Sequence, residues 1–386
     1  MKTKVGYSNN INAFEAGRET ALKALLNKQE VGLIFTSCVY NQKDVISGIE
    51  SVCPNSKYIG CTSSAAICTQ DGYLNNETGY AGMMTFGKNV EVGVSGSKKT
   101  KETPREIGRR IAQEAISQIK GDDIEPDYFF MTADPGSEEE YMKGIQDVIG
   151  KVPVFGGSAA DNTVEGNWSI ICNGKTYNQG CAVAVFYTDS IMKNIYTGAY
   201  NETSKVGVIT KVRNERTLVE IDNKPATEVY SKWTDKSLEE LKEGNILVES
   251  ICSPLGVKDP IGNITAVRHP MFANDDLSIN VGANLVENTA VILLSNTPKG
   301  ILKANSTTVN KLNEQLIPTS YFLVHCGGRR LGLSLNELEK KIYPEVKKAT
   351  GDKEFLMVFT FGEYGHNEHS ANTVGGLSLS YTGFGE

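Results

Sequence analysis

The segment from which the fold can be predicted reads Lys57-Tyr-Ile-Gly-Cys-Thr-Ser-Ser-Ala-Ala66, an apolar strand that ends at a glycine and continues into small residues. A second segment, Val152-Pro-Val-Phe-Gly-Gly-Ser-Ala-Ala-Asp161, has the same design. Its Gly156 lies 96 positions after Gly60, and two other identical pairs share that offset: Thr36 with Thr132, and Gly48 with Gly144. The repeated spacing predicts an internal duplication in the N-terminal half of the chain.

Apolar strand patterns alternate with helical patterns around both glycines. Residues 32–36 and 128–132 are typical of buried strands, and each leads through a helical pattern to its glycine turn. Alternating strands and helices predict α/β layers. Residues 81–86 and 90–94 are typical of an antiparallel hairpin, which favours mixed rather than purely parallel sheets. The predicted fold is therefore α/β, with mixed β-sheets layered with helices.

The length of the chain and a change of pattern predict two domains. The chain has 386 residues, of which 40% are hydrophobic, so it can bury a core large enough for two domains. The register of the strand and helix patterns changes near residue 225. We therefore expect an N-terminal domain over residues 1–224, which contains the duplicated unit, and a C-terminal domain over residues 225–386. A new set of strands is predicted from Asn245–Ile251 onward, and Phe355–Glu363 repeats the strand-into-glycine design more loosely.

Composition and charge exclude several classes of protein. A net charge of −7 argues against nucleic-acid binding, which needs a basic surface. No apolar run approaches the roughly 18 residues of a spanning helix, and the first residues lack the apolar core of a signal peptide. We therefore expect a soluble cytoplasmic protein without membrane insertion. The eight cysteines form no CxxC pair, and in a reducing compartment most are expected to be small buried hydrophobes.

Two glycine-rich turns and one histidine pair have only part of a binding motif. Gly156-Gly-Ser and Cys326-Gly-Gly-Arg-Arg330 offer backbone N–H groups to a ligand, but neither has the spacing of a nucleotide-phosphate loop. His366-Asn-Glu-His369 places two imidazoles three positions apart, in a loop rather than on one face of a helix. We interpret the first two as tight turns and the third as solvated or hydrogen-bonded histidines, and we predict no metal site.

A cysteine nucleophile at Cys61 or Cys326 would make the protein a thiol-dependent enzyme, which is the alternative to a binding function. Such a thiol needs a base beside it. His325 adjoins Cys326, but neighbours on a strand point to opposite faces of the sheet. Cys61 has no evident partner, and Gly157 takes its place in the second segment, so we interpret Cys61 as the wall of a pocket. We expect no enzymatic activity.

The charged residues near the strand ends suit a small zwitterion. Arg329 follows a glycine pair at the end of a buried strand, where a guanidinium can bind a carboxylate through two hydrogen bonds. Glu363, at the end of the next strand, could accept an ammonium group. Neutral donors and acceptors come from the turn hydroxyls of Thr62, Ser63, Ser64 and Ser158. An amino acid has this combination of charges, although a structural Arg–Glu pair would give the same sequence pattern.

A series of short motifs runs over nearly the whole chain: Gly60-Cys-Thr-Ser-Ser-Ala65, Pro153-Val-Phe-Gly-Gly-Ser-Ala-Ala160, Asn223-Lys-Pro-Ala-Thr-Glu-Val-Tyr230, Pro254-Leu-Gly-Val257, Ala266-Val-Arg268, Cys326-x-x-Arg329 and Phe359-Thr-Phe-Gly-Glu363. In this order the chain resembles the FIST proteins, sensory modules built from an N-terminal and a C-terminal FIST domain. The resemblance departs after Glu363, where the family commonly continues with Ile and later a His-Asn-x-Thr-like segment. This chain has Tyr364 and the loose match His369-Ser-Ala-Asn-Thr373.

The resemblance implies small-ligand sensing, with amino acids as the ligand class, and a signalling output. The chain ends soon after the last FIST strand, so a separate signalling partner protein is expected. The expected ligand-binding residues are Cys61, Thr62, Ser63, Ser64, Gly156, Gly157, Ser158, Arg268, Cys326, Arg329 and Glu363. Some family members are haem-binding gas sensors, which is a second alternative. The axial ligand would then be one of four histidines, His269, His325, His366 or His369, but no cofactor is expected.

Overall fold

The computed structural model describes residues 1–75, 77–119, 125–258, 265–366 and 371–385. Its helices are α1 Ala13–Ala24, α2 Gln42–Val52, α3 Pro104–Ile116, α4 Glu138–Ile149, α5 Ala226–Thr234, α6 Asn245–Glu249, α7 Pro298–Gln315, α8 Gly327–Leu335 and α9 Ile342–Thr350, with a 3-10 helix at Glu339–Lys341. Its strands are β1 Lys2–Ser8, β2 Val31–Ser37, β3 Lys57–Ser63, β4 Ile67–Thr69, β5 Gly72–Leu74, β6 Ala81–Gly87, β7 Glu91–Lys98, β8 Tyr128–Ala133, β9 Val154–Gly157, β10 Ile170–Cys172, β11 Lys175–Tyr177, β12 Gly180–Tyr187, β13 Met192–Thr197, β14 Asn201–Arg213, β15 Thr217–Ile221, β16 Lys224–Pro225, β17 Leu255–Lys258, β18 Thr265–Arg268, β19 Pro270–Ala273, β20 Ile279–Val281, β21 Ala290–Ser295, β22 Ser320–Cys326, β23 Glu354–Thr360, β24 Glu363–His366, β25 Asn372–Gly375 and β26 Leu379–Phe384. Within the described ranges, none of these helices is both long and apolar enough to cross a membrane.

Three six-stranded sheets share one order of strand pairing. The orders are β1-β6-β2-β3-β10-β11, β7-β12-β8-β9-β24-β25 and β13-β26-β22-β23-β4-β5. In each sheet the central pair is parallel, namely β2 with β3, β8 with β9, and β22 with β23. The outer strands pair antiparallel. The prediction of an α/β fold with mixed sheets is therefore confirmed.

Each sheet is completed by a hairpin from another part of the chain. The hairpin β4–β5 pairs with β23, β10–β11 pairs with β3, and β24–β25 pairs with β9. Strands from both sides of residue 225 therefore share two of the three sheets, and the division into residues 1–224 and 225–386 stays a prediction. A shared pairing order describes architecture rather than descent, so the internal duplication also stays a prediction.

A separate eight-stranded sheet is inserted between β13 and α7. Its order is β18-β17-β21-β14-β15-β20-β19, with β16 paired to β15. All of its pairings are antiparallel, and the sheet curls into a near-closed barrel. We call residues 201–295 the barrel. The barrel has its own apolar core, which includes Ile209, Leu218 and Ile279.

The central strands of the three sheets meet in one aromatic core. Phe35 of β2, Phe130 of β8 and Phe322 of β22 pack against each other, with ring centroids 5.4 to 6.3 Å apart. All three side chains are fully buried. Strands buried in this way need continuous apolar runs, which explains why the β2 and β8 patterns were readable in the sequence.

Several predicted elements differ from the structure. The tight turns predicted at Gly156-Gly-Ser158 and Cys326–Arg330 are wrong, because Gly156 and Gly157 lie in β9 and Gly327 begins α8. Gly60 does not end its strand, because β3 continues to Ser63 and Gly60 pairs with Ile34 of β2. A Cβ at Gly60 would stand 1.7 Å from the Ile34 carbonyl oxygen, so the glycine permits close approach of strands rather than a turn. The predicted strand at Asn245–Ile251 is wrong: these residues form α6 and the turn that follows it. A short apolar run has no period that separates a strand from a buried helix.

The equivalent glycines of α2 and α4 allow two helix pairs to approach closely. A Cβ at Gly48 would stand 2.0 Å from the carbonyl oxygen of Phe14 in α1. A Cβ at Gly144 would stand 2.0 Å from the carbonyl oxygen of Arg105 in α3. Gly48 and Gly144, which are 96 positions apart, are therefore glycines for the same structural reason: each allows the backbones of two neighbouring helices to touch.

Candidate functional site

A cavity of about 280 Å³ lies between the three sheets and the barrel. From the sheets it is lined by residues at or just after strand ends, including Ser64 after β3, Gly136 after β8, Cys326 at the end of β22 and Phe361 after β23. Arg216, His269, Met271 and Val281 line it from the barrel. The carboxyl ends of parallel strands are the usual place for ligands in α/β sheets. We therefore take this cavity as the candidate site.

One end of the cavity is the N-terminus of α8. Strand β22 passes directly into this helix at Cys326, and no side chain caps the helix start. Gly327 and Gly328, the first two helical residues, line the cavity. The first N–H groups of a helix have no partner within the helix and carry the positive end of its dipole. This end of the cavity can therefore accept an anionic or carbonyl oxygen.

The thiol of Cys326 lies at the same end of the cavity. Its Sγ accepts a hydrogen bond from the Leu377 N–H at 3.2 Å. Burial raises the pKa of Cys326 to about 12, and the neighbouring Glu363 adds to the shift. Burial also raises the pKa of Cys61 to about 12 within β3. Both thiols are therefore protonated at neutral pH, which does not favour nucleophilic attack.

Arg330, rather than Arg329, is the arginine of α8 that lines the cavity. Its Nη1 donates to Glu339 Oε1 at 2.6 Å. Its Nε is buried and has no hydrogen-bond partner. The side chain is only 11% exposed, so it is a largely desolvated cation with an unused donor. The predicted ligand residue, Arg329, is the neighbour of Arg330 in α8 and does not line this cavity.

Arg329 is fully buried away from the cavity. Its Nη1 donates to the carbonyl oxygens of Gly198 at 2.6 Å and Leu377 at 3.1 Å, and its Nη2 donates to that of Ile301 at 3.2 Å. The guanidinium also lies 5.5 Å from the centre of the Tyr200 ring. These contacts connect three separate segments of the chain. The geometry gives Arg329 a structural part, and its role in binding a carboxylate stays a prediction.

Glu363 is also buried outside the cavity lining. Its two carboxyl oxygens accept hydrogen bonds from Thr360 Oγ1 at 2.9 Å and from the Ser378 N–H at 3.0 Å. Burial raises the pKa of Glu363 to about 8. Among the described ion pairs there is none between Glu363 and Arg329. The two charges that suggested a zwitterion site are therefore not displayed together on the cavity wall.

The remaining predicted residues divide into one that lines the cavity and several that shape its surroundings. Ser64 lines it directly. Ser158 donates to Glu138 Oε1 at 2.9 Å, and Glu138 lines the cavity. The others make contacts within the fold and lie outside the lining: Cys61, Thr62, Ser63, Gly156, Gly157 and Arg268. Their part in ligand binding stays a prediction.

The ion pair of Arg216 with Glu138 at the cavity was not predicted from the sequence. Arg216 Nη2 donates to Glu138 Oε2 at 2.6 Å, and both residues line the cavity. Glu138 begins α4 and is almost fully buried. Burial raises the pKa of Glu138, and the Arg216 charge opposes that shift. The position of Glu138 just after a buried strand could have singled it out, whereas nothing near Arg216 in the sequence points to its partner.

Three of the four histidines, His269, His325 and His366, lie within the described residues, and each ring contacts another protein group. His269 is the cavity-lining histidine, and its Nε2 lies 2.8 Å from the Leu247 carbonyl oxygen. Burial lowers the pKa of His269 to about 4, so its ring is neutral. His325 and His366 contact Cys326 and Asn372, and His369 lies outside the described residues. Over those residues, no three metal-ligating side chains lie together. At the cavity, the Nε2 of His269 is held by the Leu247 carbonyl oxygen, so this histidine does not fit an axial haem ligand.

Two family models match the chain, and the cavity is lined by residues from both matched ranges. The family model described as FIST N domain matches residues 30–224. The one described as FIST C domain matches residues 226–366. Glu138 and Arg216 fall within the first range, and His269 and Cys326 fall within the second. A comparison with curated proteins finds no match to the chain.

Proposed function

The chain belongs to the FIST family, with a FIST N and a FIST C domain, and from this we propose that it is a sensory protein that binds a small metabolite in the cavity. One observation carries the proposal: the cavity of about 280 Å³ has an uncapped helix N-terminus at one end. A concave site with a few convergent polar groups is the usual form of a small-molecule site. Binding without catalysis is part of the proposal, which the protonated thiols of Cys61 and Cys326 support.

We propose that the ligand is a zwitterion such as an amino acid with an apolar side chain. The N-terminus of α8, with Arg330 beside it, suits the carboxylate. Glu138 suits the ammonium group, in place of the Glu363 role predicted from the sequence. The apolar part of the ligand would contact the largely apolar remainder of the wall, which includes Leu247, Met271 and Phe361.

We further propose that the signal passes to a separate partner protein. The cavity wall combines residues of the three-sheet core with residues of the barrel. A ligand held between two such parts can change how they are held together, and a partner that contacts both parts could detect this change. The partner is proposed as a protein, as the family resemblance implies.

Thermal-shift measurements with each of the twenty amino acids test the ligand class. A ligand that binds only the folded protein raises its apparent stability, so at least one apolar amino acid should raise the melting temperature in a concentration-dependent way. Isothermal titration then gives the affinity of that amino acid. If none of the twenty changes the melting temperature or gives heat, the proposed ligand class is wrong.

The variant Gly328→Ala tests whether the ligand lies against α8. An added Cβ at Gly328 would stand 3.0 Å from Leu377 Cδ2 and 3.4 Å from His269 Cε1, at the end of the cavity. We expect an affinity loss of about tenfold or more, the size found when one methyl group is misplaced in a pocket. Gly244→Ala is the matched control, because a Cβ there meets no atom within 4 Å. Equal affinity in both variants would place the ligand elsewhere.

A further inference from the structure

Arg216 connects the barrel to the three-sheet core beside the cavity. It directly precedes β15 of the barrel, and its Nη2 donates to Glu138 Oε2 at 2.6 Å and also to Glu139. Both carboxylates belong to the first turn of α4, outside the barrel. Its Nε donates to Asn284 Oδ1 at 2.8 Å. A single guanidinium therefore holds two parts of the molecule together, through its Nη2 to α4 and through its Nε to the barrel.

Asn284 completes this connection from the barrel side. Its backbone N–H donates to Glu139 Oε1 at 2.8 Å, and its carbonyl oxygen accepts from Arg268 Nε at 2.8 Å. We call Arg216, Glu138, Glu139, Asn284 and Arg268 the Arg216 latch. Three of these residues belong to the barrel and two belong to α4.

Burial and charge make the Arg216 latch sensitive to the cavity. The side chains of Arg216, Glu138 and Glu139 are 18%, 2% and 18% exposed, so their charges are largely desolvated. Glu138 and Glu139 share the guanidinium of Arg216, and Arg268, the second cation of the latch, interacts with Glu139, so Glu138 has Arg216 alone as its charge partner within the latch. Glu138 and Arg216 line the cavity, whereas Glu139 does not. A cation in the cavity would therefore meet the latch through Glu138, whose charge partner Arg216 is shared with Glu139.

We propose that the Arg216 latch reports cavity occupancy to the barrel. A ligand ammonium group that pairs with Glu138 takes the place of Arg216 as its charge partner and leaves Arg216 to Glu139 and Asn284, so the barrel is held more tightly when the cavity is occupied. The ligand half of this inference rests on the proposed function. The latch then has a regulatory part, which an amino acid would trigger and a carboxylic acid without an amino group would not.

Amide hydrogen exchange on the full chain without ligand tests the latch itself. In Arg216→Met, exchange should become about tenfold to a hundredfold faster in β15, in its partner β20 and in the first turn of α4, because removing one partner leaves largely buried charges unpaired. Arg213→Met is the matched control, since Arg213 pairs with Asp276 on the barrel surface, where both side chains are 50% exposed. If Arg216→Met fails to fold, Glu139→Gln takes its place. Exchange equal to that of the control would overturn the latch.

Two probes then test its link to the cavity. These are the amino acid that gives the largest thermal shift and the carboxylic acid that lacks only its amino group. The amino acid should slow exchange in β15 and β20, the carboxylic acid should not, and Glu139→Gln should abolish the difference. Equal protection by both probes would overturn the reporting role. If no amino acid binds, the proposed function and the ligand half of this inference both fail, while exchange in Arg216→Met still decides whether the latch holds the barrel.

Discussion

At the scale of single residues, the two neighbouring arginines of α8 have different environments. Successive residues on a helix are rotated by about 100°, so one of two adjacent side chains can face a cavity while the other faces the core. Arg330 lines the cavity, and Arg329 is fully buried among the carbonyl oxygens of Gly198, Ile301 and Leu377. Burial of a guanidinium is tolerated there because these oxygens accept from its Nη1 and Nη2, whereas its Nε has no hydrogen-bond partner.

Arg329→Ala should therefore reduce the stability of the folded protein, whether or not it also reduces ligand affinity. Its removal takes a hydrogen bond from the carbonyl oxygens of Gly198, Leu377 and Ile301, of which Ile301 still accepts from Asn305, and we expect the free energy of unfolding to fall by about 2–4 kcal/mol. Urea denaturation measures this change. The control Arg213→Ala removes an exposed ion pair and should cost no more than about 1 kcal/mol. A variant Arg329→Ala as stable as Arg213→Ala would contradict the structural part given to Arg329.

Glu363 predicts a pH dependence of stability. Burial raises its pKa to about 8 in the folded protein, above the value of about 4.3 for an exposed glutamate. Between these two pKa values the folded state holds a proton that the unfolded state has released. The stability that this proton contributes is therefore complete at low pH and is lost as the pH rises from about 4.3 to about 8. The expected slope is about 1.4 kcal/mol per pH unit. Urea denaturation between pH 5 and 9, roughly the window of this titration, should show a smaller fall for Glu363→Gln than for the wild type. The control Glu240→Gln, at an exposed carboxylate, should leave the fall unchanged.

At the scale of elements, the helix pairs α1–α2 and α3–α4 depend on glycines at their contacts. Alanine has a higher helix propensity than glycine by about 1 kcal/mol, so Gly144→Ala would stabilise an isolated α4. In the folded protein its Cβ would stand 2.0 Å from the Arg105 carbonyl oxygen. Forced separation of packed elements costs about 1–3 kcal/mol, so the close approach outweighs the propensity.

Gly144→Ala should consequently lower the free energy of unfolding by up to about 2 kcal/mol, the overpacking cost less the gain in helix propensity. Thermal and urea denaturation provide the measurement. Lys143→Ala, at the neighbouring exposed position of α4, is the control and should change stability by less than about 0.5 kcal/mol. Stabilisation by Gly144→Ala would show that the helices separate without cost.

At the scale of the whole molecule, hairpin exchange makes the three sheets depend on one another. The hairpin β4–β5 extends a sheet whose other strands lie after residue 191, and β9 needs β24 from the C-terminal region as its partner. Unpaired strand edges carry unsatisfied backbone groups and favour aggregation. The structure therefore favours folding of the chain as one cooperative unit.

A fragment of residues 1–224 should not fold stably alone, although the sequence pattern predicts it as a domain. It lacks β24, which pairs with β9, and β23, which pairs with β4, so we expect little cooperative thermal unfolding by circular dichroism. Co-expression with residues 225–386 restores these partners and should recover a soluble complex. Cooperative unfolding of the isolated fragment, with a melting temperature close to that of the full chain, would show that the N-terminal domain is independent.

The sequence by itself determined the strand and helix content near Gly60 and Gly156, the capping box at Thr103–Glu106, and the motifs of the FIST family. These features depend on neighbours in the chain, such as the apolar run of a buried strand or the cap of a helix. Only the tertiary structure decided which residues face the cavity. Glu138 meets Arg216 across 78 positions, and Arg330 rather than Arg329 lines the wall. The physical reason is that local propensity fixes an element, whereas the packing of distant elements decides which of its side chains meet.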